Sequence, residues 1–336
     1  MKVWLPTADY PGGQRRFCEY LAEGLTAAGQ EAIVALFPMS IQYIPWALRR
    51  LTSPAGIDVV IANIWSAFAL GRPGARLVVV DHLAIHDASY RPYRSASQAV
   101  FHQTILRGHV LASLRAADAV VAVSQFVAES LRGTFAAPPI EVIYNGIDTD
   151  FFHPAATGKA PLDGRPMRLL FAGDLIRRKG ADLLAPIMAA LGQGFELLCV
   201  VGGRGNIDLP ADPMIRVRRG LTPADMREVY QWADLLLFPS RLEGFGFVAA
   251  EALACGTPVV AAATSALPEV IADGASGLLC PADDAASLAA AIRQLAADPM
   301  RLAAMGRHAR ADTVRRFDRS AMVGRYLALF ERLGLR

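Results

Sequence analysis

Twelve short apolar runs constrain this chain more than any other feature of it. Six of them, KVWL, EAIVALF, IDVVIAN, RLVVVDH, DAVVAVS and IEVIYN, fall in the first half. Six more, RLLFAG, FELLCVVGG, MIRVRRG, DLLLFPS, TPVVAAA and SGLLCP, fall in the second, with helical stretches between them throughout. Parallel strands covered on both faces read as continuous apolar runs of this kind, and the intervening helices supply the crossovers. The expectation is therefore an α/β chain of two Rossmann-like, doubly wound domains in tandem, 1–155 and 166–316. The stretch His153–Met167, rich in Ala, Pro and Gly and without periodicity, reads as the linker. A length of 336 residues suits two domains of about 100 to 200 residues each. Open sheets of this type bind ligands at the carboxyl ends of their strands, so two facing domains predict a cleft between them. The terminal stretch 317–336 carries Met322, Tyr326, Leu329, Phe330 and Leu333 at helical spacing, and is expected to pack back across both domains.

Composition removes several classes of function. The 34 Lys and Arg against 31 Asp and Glu leave a net charge of +3 with no block of like charge, which argues against a nucleic-acid partner. Cys18, Cys199, Cys255 and Cys280 are scattered without a C-x-x-C pair, so no zinc site or disulfide framework is expected. The start MKVWLPTADYPGG lacks the order of a signal peptide, and every apolar run is far shorter than the roughly 18 residues of a membrane span. A cytoplasmic protein is expected.

The stretch LEGFGFVAAEALACGTPVV, Leu242–Val260, carries the most chemistry. It follows a strand ending at Phe238, turns at Pro239 and Ser240, and opens a helix near Gly246 that runs to about Ala254. Drawn as continuous helix, Glu243 and Glu251 lie about 12 Å apart, the span of a nucleotide diphosphate sugar from sugar to ribose. Between them the helix start offers unpaired N–H groups and the positive end of a dipole, a seat for phosphate. Gly244 and Gly246 allow close backbone approach beside Phe245 and Phe247. Glu243 is thus placed for sugar hydroxyls, Glu251 for ribose hydroxyls, and the helix start for the diphosphate.

This stretch resembles the E-x7-E signature of retaining glycosyltransferases of the GT-B fold, glycosyltransferase family 4. PGGQRRFCEYLAEGLTAAGQEAIV resembles that family's first glycine-rich loop and helix, AADAVVAVSQFVAESL its fifth strand and following helix, and IEVIYNGIDTDFFHP its run into the linker. LLFAGDLIRRKGADLL resembles the first strand and turn of its second domain, so the likeness spans nearly the whole chain. The resemblance implies transfer of a sugar from a UDP- or GDP-sugar to a hydroxyl of a glycan, lipid-linked glycan or small molecule, with retained configuration, no metal and no other cofactor. It implies a donor site in the second domain and an acceptor site in the first. Gly13, Gly173 and the VVGGRGN loop at Gly202 would lie beside phosphate, and Arg219 near the nucleobase, where the family uses main-chain contacts. His82 stands where the family has a histidine near the donor sugar; a structural histidine bonded to a carbonyl is the alternative.

One position departs from the pattern. Members of the family carry Gly-Arg five residues before Lys-Gly, and both cations clamp the diphosphate; Lys179 matches the lysine, but Asp174 stands at the arginine. Either Arg177 or Arg178 supplies the second cation, with Arg177 preferred, or Asp174 turns away and pairs with one of them. A nucleotide-sugar-binding protein with weak or lost catalysis, and an epimerase of the same fold, are the other readings. His82 and His86 follow a strand and do not suggest a metal pair, and Asp148 and Asp150 read as turn carboxylates. Thr222 and Asp225 read as a helix cap. IQYIPWALRRL and SYRPYRS, with paired arginines beside Trp46 and tyrosines, suggest peripheral contact with an anionic membrane surface or ordinary packing.

Overall fold

The computed structural model describes every residue except Pro11, Ala160, Pro161, Arg204, Asn206 and Arg336. The chain divides into two compact units, residues 1–146 with 317–336, and residues 147–316.

The first unit holds a parallel sheet of β1 (Lys2–Ala8), β2 (Glu31–Phe37), β3 (Val59–Asn63), β4 (Arg76–Asp81), β5 (Ala119–Ala122) and β6 (Ile140–Val142), in the order β2-β1-β3-β4-β5-β6. All five residues of β3 are buried, as a central strand covered on both faces demands. The strand order reverses between β1 and β3. There Gln14, in the first turn of the helix Gly13–Ala27, donates to Thr7 Oγ1 at 3.1 Å and accepts from Asn63 Nδ2 at 3.0 Å.

The helix Arg319–Arg332 buries Met322, Tyr326, Leu329 and Phe330 of the apolar stripe seen in the sequence, together with Val323, while Leu333 is half-buried just past its end. It lies against the helix Gly13–Ala27, with the Tyr326 and Phe17 rings 6.0 Å apart and Arg319 paired with Glu23 at 2.5 Å. A Cβ at Gly24 would stand 2.4 Å from Val323, so this glycine sets how closely the two helices approach.

The second unit holds β7 (Met167–Ala172), β8 (Phe195–Val201), β9 (Ile215–Arg219), β10 (Leu235–Phe238), β11 (Val259–Ala262) and β12 (Gly277–Cys280), again parallel, in the order β12-β11-β10-β7-β8-β9. Leu169, Phe171, Leu197, Leu235, Leu237 and Val260 from the strands meet Leu184, Ile187, Leu288 and Ile292 from flanking helices in one core. The order reverses between β7 and β10, and the two loops that leave their carboxyl ends form the crevice where sheets of this kind take ligands.

All twelve strands expected from the sequence are present. Asp148 accepts from the Phe151 N–H at 2.9 Å, a turn carboxylate, and Thr222 with Asp225 forms a full capping box on the helix Pro223–Trp232. Among the described residues, no helix is long and apolar enough to cross a membrane.

Candidate functional site

After β7 the chain turns through Gly173, Asp174 and Leu175 into a single tight turn at Arg177–Lys179, closed by Gly180 at φ 70°. After β10 it passes Pro239–Gly246 into the helix Phe247–Ala254. The two loops touch directly. A Cβ on Gly180 would stand 2.1 Å from the Pro239 carbonyl oxygen, so glycine is required there both for its left-handed backbone and for the contact. Backbone bonds lock the approach: Arg241 N–H donates to the Arg178 carbonyl at 2.8 Å, and the Arg178 guanidinium donates to the Leu242 carbonyl at 2.8 Å.

Lys179 and Glu243 meet at the centre. Lys179 Nζ donates to Glu243 Oε1 at 2.5 Å, Ser240 Oγ donates to the same oxygen at 2.6 Å, and the Phe238 ring lies 5.7 Å from the ammonium. Both side chains are largely buried, 15% and 10% exposed. Burial pushes the Glu243 carboxyl up, but Lys179, Arg178 and the hydrogen bonds from Lys179 and Ser240 outweigh it and hold the group below its ordinary value. Glu243 is accordingly an ionised carboxylate near neutral pH.

Glu251, one turn into the helix, is 1% exposed and accepts from the Tyr230 hydroxyl at 2.9 Å. The helix itself begins at Gly246, φ 101°, with no side-chain cap on its first N–H groups. An uncapped helix start beside a buried ammonium suits an anion. Phe245 and Phe247 flank it edge to face, 5.5 Å apart.

The remaining expected residues are spread more widely. Asp174 lies against Gly202, where a Cβ would stand 2.3 Å from its Oδ1, and its charge acts on Lys179. Arg219 donates to the Gly202 carbonyl at 3.1 Å. Gly173 has Lys179 side-chain carbons 3.7 Å from its would-be Cβ. Arg177 is 66% exposed, with Nε 3.9 Å from Asp182, while the Arg178 guanidinium is engaged with the Leu242 carbonyl. The end of the VVGGRGN loop, Arg204 and Asn206, lies outside the described residues.

In the first unit, Gly13 opens the helix Gly13–Ala27, and His82 follows β4 with its ring edge-on to Phe17 at 4.7 Å. Burial pulls His82 down to about 3, so the imidazole is neutral across the physiological range. Its neighbour Asp81, 5% exposed, is pushed by burial up to about 7, against the bond it accepts from the Leu83 N–H. A carboxyl raised in this way stabilises the fold below its unfolded value near pH 4, and that contribution is lost as pH rises to about 7. Asp81→Asn is therefore expected to gain stability over the parent as pH goes from 5 to 8, by on the order of 2 kcal/mol. His82 titrates in both proteins and cancels in the difference. Urea unfolding at the two pH values reads this directly, and a pH-independent difference would show that Asp81 is ionised throughout.

One charged group at the site is not marked in the sequence. Arg241, only 4% exposed at its side chain, is paired with Asp182 and with Asp283. Asp283 lies 42 residues away in the chain, and no spacing or periodicity predicts that contact.

Comparison with known proteins adds the lineage. A family model described as Glycosyl transferases group 1 matches residues 166–298, and one described as Glycosyltransferase Family 4 matches residues 35–151. D-inositol 3-phosphate glycosyltransferase 1 of Catenulispora acidiphila is 32% identical over 294 residues, covering 76% of this chain and 68% of that protein. The chain spans about half the length of other curated relatives of the same description, such as that of Segniliparus rotundus, 37% identical over 56% of this chain and 47% of its own. Among solved structures, sucrose-phosphate synthase from Thermosynechococcus elongatus aligns with a TM-score of 0.80 at 22% identity, over 99% of this chain and 98% of its own. Anabaena HepE in complex with UDP and glucose aligns with a TM-score of 0.75 at 20% identity, over 98% and 99%. At such identities the two structures speak for the fold, which is GT-B.

Proposed function

Because the chain belongs to glycosyltransferase family 4, we propose that it moves a sugar from a nucleotide diphosphate sugar to an acceptor hydroxyl, with retained anomeric configuration and without a metal ion. The observation that carries this reading is the buried Lys179–Glu243 pair set beside an uncapped helix start, at the point where the strand order of the second unit reverses.

Each group has a role that follows from its chemistry. The helix start from Gly244 to Phe247 takes the diphosphate, and Lys179 turns from Glu243 to the phosphate oxygens, neutralising charge that grows as the leaving group departs. Glu243, held by Ser240, orients the donor sugar through its hydroxyls. Glu251, held by Tyr230, takes the ribose hydroxyls. Arg177, exposed on the same turn as Lys179, is the mobile second cation; Arg178 braces the turn. Gly173 and Gly202 let the backbone approach phosphate, and the strand end at Arg219 contacts the base; in the first unit Gly13 opens a helix whose first N–H groups suit an anion. Neutral His82, in the first unit, is suited to exchange a hydrogen bond with a sugar hydroxyl. The departing phosphate oxygen receives the acceptor proton, so no side chain is needed as general base.

The Anabaena complexes with UDP and with UDP and glucose support a UDP-sugar donor, and the relatives named for D-inositol 3-phosphate support a small polyol as acceptor. Met39 and Trp46, the latter 67% exposed, and the exposed Arg49 and Arg50 fall in one stretch of sequence and support peripheral contact with anionic lipid. A second reading, a nucleotide-sugar-binding protein without turnover, is favoured by Asp174, whose charge acts on Lys179 and would repel phosphate.

Thermal stability against a panel of nucleotides and their sugars tests the donor assignment. A donor at about 100 times its Kd is expected to add about 2.7 kcal/mol, with the shift confined to one base and lost in Glu251→Ala. The absence of a shift with every nucleotide diphosphate would refute the donor site. Binding without transfer, with transfer appearing in Asp174→Arg, would establish the second reading.

A further inference from the structure

The Arg241 guanidinium is held by partners on all three of its nitrogens. Nε donates to Asp283 Oδ1 at 2.5 Å, Nη1 donates to Asp182 Oδ1 at 2.6 Å and also to the Arg177 carbonyl, and Nη2 donates to Asp182 Oδ2 at 2.9 Å. With two carboxylates against its single charge and its donors turned to them and to a carbonyl, this guanidinium is committed to protein partners and not to phosphate. Its partners instead lie on two separate loops, and Arg241 itself on a third. Arg177 and Asp182 bracket the turn that carries Lys179, Asp283 lies between β12 and the helix Ala285–Ala296, and Arg241 precedes Glu243 by two residues.

Asp283 supplies a second, independent sign that this arrangement is imposed. It is one of two described residues other than glycine with a left-handed backbone, φ 62°, a conformation that persists only where surrounding contacts hold it. The side-chain bond to Arg241 is such a contact. The next residue, Asp284, caps the following helix through Ser287, so the loop is held at both ends.

We infer that Arg241, fixed by Asp182 and Asp283, is the positioning residue that presents the Lys179 turn to the diphosphate of the donor. The inference rests on the donor reading above and names what holds its central cation in place. Without the bracket, the turn keeps Gly180 against Pro239 and the Arg178 bonds, so the fold survives while Lys179 loses its fixed direction. Asp182 and Asp283 are 31% and 41% exposed at their side chains, so water can solvate both carboxylates once the guanidinium is removed.

The test measures binding of UDP, GDP, UMP and GMP to the full chain in Arg241→Met, Arg241→Lys and Asp182→Asn, by calorimetry. The diphosphate that binds the parent is expected to bind Arg241→Met at least tenfold more weakly, with the matching monophosphate changed less than twofold. Arg241→Lys, which keeps the charge but cannot bridge three partners, is expected not to recover it, and Asp182→Asn to fall in between. Equal losses of mono- and diphosphate would show a merely structural arginine, and undiminished diphosphate binding in both Arg241→Met and Asp182→Asn would also overturn the inference. If Arg241→Met does not fold, Asp182→Asn alone carries the same comparison. A parent chain that binds neither diphosphate would refute the donor reading first, and this inference with it.

Discussion

Lys179→Met is expected to lower kcat/KM for sugar transfer by about a hundredfold to a thousandfold, the usual loss when one preorganised charge is removed from a developing anion. The fall should appear in kcat more than in KM, because the helix start still seats the ground-state diphosphate while the charge that grows on departure is no longer met. The same change has a cost in stability, because Glu243 is 8% exposed and would keep only the Ser240 bond and the more distant Arg178 charge as compensation. Breaking a buried pair by removing one partner costs about 3–5 kcal/mol, so a loss of activity alone would be ambiguous. Adding Glu243→Gln separates the two effects. The neutral pair no longer buries an uncompensated carboxylate, so the double variant is expected to recover most of the lost stability and none of the transfer. Steady-state rates beside urea unfolding of the parent, both single variants and the double variant decide the matter, and equal transfer by Glu243→Gln and the double variant would show that Lys179 has only a structural role.

What the sequence could and could not reveal follows from how far apart the interacting groups lie. Central strands such as Val59–Asn63, Leu235–Phe238 and Val259–Ala262 were legible because each is buried along its whole length, and burial of that kind writes itself locally as an unbroken apolar run, whereas the edge strand Ile215–Arg219, exposed at four of its five residues, alternates apolar and basic residues. The start of the helix Phe247–Ala254 was legible because Gly246 precedes the first helical residue and supplies a left-handed backbone. The stripe Met322–Leu329 announced a buried face, yet the surface it covers, the helix Gly13–Ala27, is nearly 300 residues away, Arg319 to Glu23 being 296. The Lys179–Glu243 bond joins residues 64 apart and was anticipated only as two ligand-facing groups. Arg241 was invisible for the same reason: a basic residue in a polar loop looks solvated until tertiary structure brings carboxylates from two other loops around it. Asp174 was legible as a departure from the family's pattern, but only the structure gives its direction, against Gly202. The short turns Met39–Ile41 and Ala88–Tyr93 left no periodic signal because neither lasts long enough to repeat one, and the π-helical segment His102–Leu106 shifts the register of the helical stretch it interrupts.

Gly180→Ala is expected to destabilise the protein by about 3–5 kcal/mol, from two sources that a second glycine can separate. The first is backbone strain: at φ 70° and ψ 21° an alanine pays about 1–2 kcal/mol for its Cβ. The second is collision, since the added atom would stand 2.1 Å from the Pro239 carbonyl oxygen and 2.7 Å from its carbon. That oxygen belongs to the backbone leaving β10, which cannot yield without moving the loop that carries Ser240, Arg241 and Glu243. Gly29 has a similar φ of 82° but nothing within 4 Å of a would-be Cβ, so Gly29→Ala carries the strain without the collision and should cost only about 1–2 kcal/mol. The difference between the two variants in urea unfolding isolates the contact between the loops. Gly180→Ala should also lose nucleotide diphosphate binding under conditions where it remains folded, because relief of the collision separates Lys179 from Glu243 and from the helix start. Equal destabilisation by the two substitutions would mean that the loops are free to part, and that their apposition does not hold the site together.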